Sequence, residues 1–433
     1  MADVGMAAPP MTAWRPATRV LFRFCVVYIS LYALSGQLAG AVLQLPGVYL
    51  PAFGGLWPLR DLTEWTARAI FGYEGSLAFR GNSGDTAFHW VQTFLLLATS
   101  VVATVAWSAA DRRVRYDALH RWFRLVVRFL LAAQMFYYGM AKVIPTQFRP
   151  LALVTLVDRV GNLSITDMLW VSVGASPAYQ MFGGWAEMLA GVLLLFPRTT
   201  ALGALVALAD MVQVLALNVG YDFGLKGISV HLMLLSVWLL APDVRRLADV
   251  FLFDRPVGPS NHGELFTSAS RNRLARTAQV VVGVYLIGMF TMLNVRQWTD
   301  EGAPGGPRSP LYGIWDVEQL SVDGEVRPAE ANDYDRRWAR VIFDVPSRMA
   351  VQRTDDSFAR YGVSIDPAAR TLSLTRGTSR TWSARLTFVR SGDDRLALLG
   401  TIDGHRIEAR LRQRPLDTFR LPAAPFRWVR PPD

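Results

Sequence analysis

From Phe88 to Ala110 the chain carries a single titratable group, His89, and from Thr277 to Val295 it carries no charged side chain at all. A helix needs roughly 20 mainly apolar residues to cross about 30 Å of hydrocarbon. Blocks of this kind fit a bilayer better than the interior of a soluble enzyme. Seven of them are expected to span: Phe24–Leu45, Phe88–Ala110, Leu125–Ile144, Ala178–Phe196, Leu202–Val219, Gly227–Ala241 and Thr277–Val295. With 52% hydrophobic and only 18% charged residues among 433, the whole chain is more apolar than most soluble proteins of its length.

The formal net charge of +10 raises the question of nucleic acid, but the arginines sit in short loops between apolar blocks, where the positive-inside rule explains them. Arg15, Arg19 and Arg23 precede the first block. Arg112, Arg113, Arg115 and Arg121, then Arg198, then Arg245, Arg246, Arg271, Arg273 and Arg276 fall in alternate loops on the same side. The other loops hold Asp61, Glu64, Glu74, Asp85, Asp158, Asp167 and Asp222. The N-terminus is therefore expected in the cytoplasm and the C-terminal part outside. A cleaved signal peptide, cut near Ala39–Ala41, is the alternative for the first block. Cys25 stands alone, so neither a disulfide framework nor a cysteine metal or iron–sulfur site is available, and no metal site is expected.

After Asp300–Pro310, a stretch rich in Pro and Gly, the pattern changes to short runs of period two at Arg340–Asp344, Thr371–Thr375, Ser383–Phe388 and Arg406–Leu411. Turn signals at Asp323-Gly324, Ser391-Gly392 and Asp403-Gly404 separate strands. The expected fold is thus an α-helical transmembrane bundle followed by an antiparallel β-barrel or sandwich. Its parts are a cytoplasmic tail over 1–20, the bundle over 21–296, a linker over 297–310 and the β domain over 311–433.

Ionisable groups at membrane depth are costly, and they mark functional candidates. Lys142, Glu187, Asp210 and His231 qualify. Lys142 and His231 are expected toward the outer side, level with Asp222 and Lys226, where the four could line one outward-facing polar cavity. The structural alternatives are a snorkelling Lys142 and a plain Lys142–Glu187 ion pair. Arg128, near the start of its block, is expected to snorkel too. Trp57, Trp65, Tyr73, Trp90, Tyr137, Tyr138 and Trp185 fit an interfacial aromatic belt better than a quinone-stacking site.

The stretch from Tyr137 to Pro242 resembles the DoxX family of bacterial membrane proteins and, more distantly, the membrane domain shared with vitamin K-dependent carboxylases. The resemblance rests on the aromatic-Gly-x-x-Lys run from Tyr138 to Lys142, the helix from Ala186 to Arg198 with Glu187 at its start, and the run from Asn218 to Pro242 containing His231. It implies a bacterial inner-membrane protein acting as a quinone- or lipid-binding accessory subunit of a redox or envelope-stress system. Its implied partners are the lipid bilayer and a redox protein, with no nucleic acid. Lys142, Glu187 and His231 would be the catalytic residues of a carboxylase-like enzyme. Tyr138, Asp210, Asp222 and Lys226 would be ligand-binding. Here Ile144-Pro-Thr-Gln-Phe148 replaces the tryptophan usual after the lysine, and Asp210 stands where the carboxylase branch has a histidine. Both departures point away from carboxylation. A non-catalytic scaffold anchoring the β domain is the remaining alternative.

The Gly313-Ile-Trp315 run resembles the Gly-x-Trp of lipocalin-type barrels, which implies that Arg427 or Arg430 packs over Trp315. Such a barrel either binds a small apolar ligand or is filled by its own side chains.

Overall fold

The computed structural model describes residues 13–48, 51–75, 77, 79, 84–258, 263–328, 337–377 and 379–421. Two compact units emerge: Met1–Val143 with Phe182–Met292, and Ile144–Met181 with Leu293–Asp433. The helices in chain order are α1 (Pro16–Ser35), α2 (Gln37–Val42), α3 (Leu59–Phe71), α4 (Ala87–Ala110), α5 (Asp117–Val143), α6 (Leu153–Val157), α7 (Ile165–Gly174), α8 (Pro177–Leu195), α9 (Thr200–Gly220), α10 (Lys226–Leu240), α11 (Val244–Phe251) and α12 (Ala269–Trp298).

That is more helices than the seven expected, because α3, α6, α7 and α11 are short segments in loops and the first block is broken. Gly36, in an extended conformation, ends α1 by donating its N–H to Tyr32, and α2 restarts at Gln37. Among the described residues five helical stretches, at Pro16–Ser35, Ala87–Ala110, Pro197–Gly220, Lys226–Phe251 and Ala269–Trp298, are long and apolar enough to cross a membrane. The other two expected spans, α5 and α8, are helical but carry Arg121, Arg124, Arg128, Lys142 and Glu187. Along α4 the polarity is inverted relative to a soluble protein. Val101, Val102 and Val105 of α4 are more than half exposed, whereas Gln92, Ser100 and Thr104 of the same helix are buried. Leu274, Val281 and Val284 of α12 also face outward. An apolar side that faces away from its neighbours is compatible with contact to lipid.

The second unit is built on a closed antiparallel β-barrel. Its strands are β1 (Gly313–Val322), β2 (Glu325–Val326), β3 (Trp338–Phe343), β4 (Arg348–Arg353), β5 (Phe358–Asp366), β6 (Thr371–Arg376), β7 (Ser379–Ser391), β8 (Arg395–Ile402) and β9 (His405–Arg414). Strands β3 to β9 follow one another in order, and β1 closes the ring by pairing with both β3 and β9, while β2 is a short hairpin arm on β1. Asp323-Gly324 and Asp403-Gly404 both have positive φ, the geometry of a two-residue hairpin turn whose twist matches its strands. Alternate residues point inward, so Trp315, Leu320, Val341, Phe343, Leu372, Leu374, Leu386, Leu398 and Ala409 fill the ring as one apolar core. This barrel is packed with its own side chains. Truncating Trp315, which has no exposed surface, to alanine would remove about 3–5 kcal/mol.

The indole Nε1–H of Trp315 donates to the Leu311 carbonyl at 2.9 Å, and the Arg390 guanidinium of β7 lies 6.0 Å from its ring centroid. The expected partners Arg427 and Arg430 lie outside the described residues. Part of the loop after α5 belongs to this unit rather than to the helices. Leu153 of α6 packs with Ile314, Ile342 and Ala350 on the outside of the barrel. The Leu153 N–H donates to Asp344 at 2.9 Å, Gln352 donates to the Val157 carbonyl at 3.1 Å, and Arg159 pairs with Asp356.

Candidate functional site

Small residues let α5 and α8 come together. A Cβ added at Gly184 would lie 2.7 Å from the Gly139 carbonyl oxygen, and one added at Gly139 would lie 3.0 Å from that of Gly184. Just beyond this contact the Lys142 ammonium donates to both carboxylate oxygens of Glu187, at 2.6 and 2.7 Å. The Glu187 side chain is 1% exposed and that of Lys142 14%. The ammonium also sits 5.7 Å from the Tyr138 ring centroid, and the Tyr138 hydroxyl accepts from Gln37, which in turn donates to Gln134. Asp210 lies within electrostatic reach of both charges, and its Oδ2 is buried without a hydrogen-bond partner.

His231 belongs to a different cluster. Its Nδ1 lies 2.6 Å from the Gly227 carbonyl, which can only accept, so Nδ1 carries the proton and Nε2 accepts from the Tyr28 hydroxyl at 2.7 Å. The Tyr32 ring stacks on the imidazole at 3.5 Å. Both nitrogens are thus engaged, and no hydrogen bond joins His231 to Lys142 or Glu187 among the described residues, although Tyr32 lies within electrostatic reach of Tyr138.

Asp222 and Lys226 form a third. They pair at 2.8 Å, and the Lys226 ammonium lies 3.8 Å from Asp85. That contact holds the Asp222 carboxyl below the usual carboxylate range. Asp85 accepts from the backbone N–H groups of Lys226 and Gly227, an anion at the start of α10 where the helix dipole favours one. A void of about 40 Å³ nearby is lined by Tyr32, Gln37, Asp85, His89 and Gln92, and by none of Lys142, His231, Asp222 and Lys226, the four expected to share one outward cavity. It has room for water but not for a quinone. Trp57, Trp65, Trp90 and Trp185 are more than half exposed.

A larger cavity was not legible as a site. Six arginines, Arg121, Arg124, Arg128, Arg198, Arg246 and Arg276, line a cavity of about 920 Å³ with Asp243 and Glu264. They come from the start of α5, the turn between α8 and α9, α11 after the end of α10, and the start of α12, so the cavity gathers one end of five helices. Arg128 is corrected from a snorkelling residue to an inward one. It is 5% exposed and donates to the Leu194 and Leu195 carbonyls at 2.9 and 2.7 Å. Arg124, also 5% exposed, donates to the Leu239 carbonyl at 2.7 Å. Both guanidinium groups thus sit at helix C-termini, where carbonyls and dipole favour a cation. Among the described residues no group of three or more His, Cys, Asp or Glu side chains gathers as a metal site.

These features define a class: a bundle with helices long and apolar enough to cross a membrane, a buried ion pair and a basic cavity at one end, continuous in sequence with a closed, filled β-barrel. The chain is 36% identical over 124 residues to the uncharacterized protein YwoB of Bacillus subtilis (strain 168), an alignment covering 29% of this chain and 79% of that protein. The chain belongs to the family of that protein. No protein-family model and no solved structure matches it.

Proposed function

We propose that this chain is a DoxX-like integral protein of a bacterial inner membrane that holds an amphiphile, a lipid or a quinone, as an accessory subunit of a membrane redox or envelope-stress system. The observation that carries this reading is the 920 Å³ cavity at the ends of α5, α8, α9, α10 and α12. Its volume lies in the range of sites that enclose a ligand of a few tens of atoms. Its walls combine charge with Leu125, Phe196, Leu202, Leu247 and Val250, the mixture an amphiphile presents.

The positive-inside rule puts the arginine-rich end in the cytoplasm. Helix α12 starts at that end and rises roughly 45 Å over its 30 residues, enough to deliver the following chain to the periplasm. The bidentate Lys142–Glu187 contact supports a structural part for Lys142, since an ammonium held by both carboxylate oxygens has no lone pair to offer as a base. The packed barrel favours a docking or anchoring part for the second unit over ligand storage.

Mass spectrometry of the protein purified in mild detergent tests the reading. An amphiphile retained in about one equivalent per chain and enriched over the bulk membrane extract is the expected result. A chain that emerges empty overturns it.

A further inference from the structure

The basic cavity carries more charge than its own residues neutralise. Asp243 lies 2.9 Å from Arg246 and 3.6 Å from Arg124, and Glu264 lies 3.8 Å from Arg276. Arg128 has only carbonyls. Arg121 and Arg198 make no ion pair among the described residues. Six guanidinium groups against two carboxylates leave an excess of four positive charges around one void.

Hydrogen bonding gives the same answer independently. Nε of Arg121 and Nε of Arg246 are buried donors without a hydrogen-bond partner, whereas Nη2 of the buried Arg124 faces the Asp243 carboxylate at 3.6 Å. On the α12 side, Gln279 is 7% exposed, and its Nε2 donates to the Ala275 carbonyl while its Oε1 accepts from nothing. Buried donors and acceptors in folded proteins are nearly always satisfied, and desolvated cations even more so. The void therefore asks for an occupant with several anionic oxygens and at least one hydroxyl or similar donor. Phosphate answers the first need, because its oxygens accept the paired N–H groups of several guanidinium forks at once.

We infer that the cavity binds the phosphate head group of an anionic, hydroxyl-bearing lipid, with the phosphate between Arg121, Arg124 and Arg198, the head-group hydroxyl on Gln279 and the acyl chains along Phe196, Leu202 and Leu247. This rests on the amphiphile-binding reading above and specifies its ligand. A free phosphate ester has the same head chemistry. The lipid is favoured because the cavity is far larger than one phosphate and has apolar walls at the start of the hydrophobic stretches of α9 and α12.

The test is native mass spectrometry of the full chain, delipidated and then supplied with phosphatidylglycerol, phosphatidylcholine or inorganic phosphate. Phosphatidylglycerol is expected to bind at least about ten-fold more tightly than phosphatidylcholine, and millimolar inorganic phosphate should leave it in place. Removing Arg121 and Arg198 together (R121Q/R198Q) should abolish the preference, at about ten-fold per lost charged hydrogen-bonding group. Gln279→Leu should weaken phosphatidylglycerol by about three-fold. Arg271→Gln removes one charge from an exposed position outside the cavity and should change nothing. If the double variant does not fold, R198Q alone, in the exposed turn before α9, gives the same readout. Equal binding of the two lipids, an equal loss in R271Q, or displacement by inorganic phosphate would each overturn the inference. Of these, equal retention of a neutral lipid leaves the amphiphile-binding reading standing, and a chain that binds no lipid removes both.

Discussion

Two regions of the helical unit bury charge, and they do so in opposite ways. Between α5 and α8 one cation meets one anion, both oxygens of Glu187 are taken, and the flanking glycines close the helices around the pair. At the ends of α5, α8, α9, α10 and α12, six cations meet two anions and donors are left over. The first arrangement needs nothing from outside, whereas the second is incomplete without a ligand. Buried charge marks both as candidate sites, and only the balance of partners separates a structural pin from a binding site.

The largest expected effect comes from unbalancing the pin. Glu187→Gln strands the Lys142 ammonium and should destabilise the protein in detergent by about 3–5 kcal/mol, whereas the double change Lys142→Met/Glu187→Leu should recover most of that loss. Thermal unfolding of the three proteins measures it. Equal stability of the single and double variants would mean that the two charges are not coupled.

Arg128 tests whether the cavity also contains structural cations. Arg128→Gln gives up charged hydrogen bonds to the last carbonyls of α8 and should cost about 1.5–3 kcal/mol in the same unfolding measurement. Arg121 and Arg198, with no such bonds, should each change stability by less than about 0.5 kcal/mol when made glutamine, although lipid preference falls. A large loss of stability in the R121Q/R198Q protein would move these two into the structural class and erase the contrast.

Much of this was legible in the sequence, and what was not has physical causes. Long apolar blocks located α4, α9, α10 and α12 because apolar length is a local property. The Lys142–Glu187 pair was among the expected arrangements because few partners exist at that depth. The inward turn of Arg128 was not readable, since an arginine near a helix start has the same sequence whether it reaches for head groups or for the carbonyls of a neighbouring helix. The cavity was hidden for the same reason. Its arginines come from separate loops and helix ends, and each read singly is an ordinary topology signal.

In the barrel, β6, β7 and β9 alternate cleanly because one face meets solvent. Strand β4 does not. Met349 and Val351 point into the ring, while Ala350 on the outer side packs with Leu153 of α6, so consecutive residues are buried and the period of two disappears. That covering segment comes from the loop after α5, more than a hundred residues earlier, a pairing no local pattern encodes.

The most direct measurement is a high-resolution electron cryomicroscopy map of the full chain in nanodiscs containing phosphatidylglycerol. Phosphate density within hydrogen-bonding reach of Arg121, Arg124 or Arg198, with acyl density running along Leu202, is the predicted result. A cavity that stays empty, or that Arg121 and Arg198 close by turning onto protein carboxylates, would contradict it.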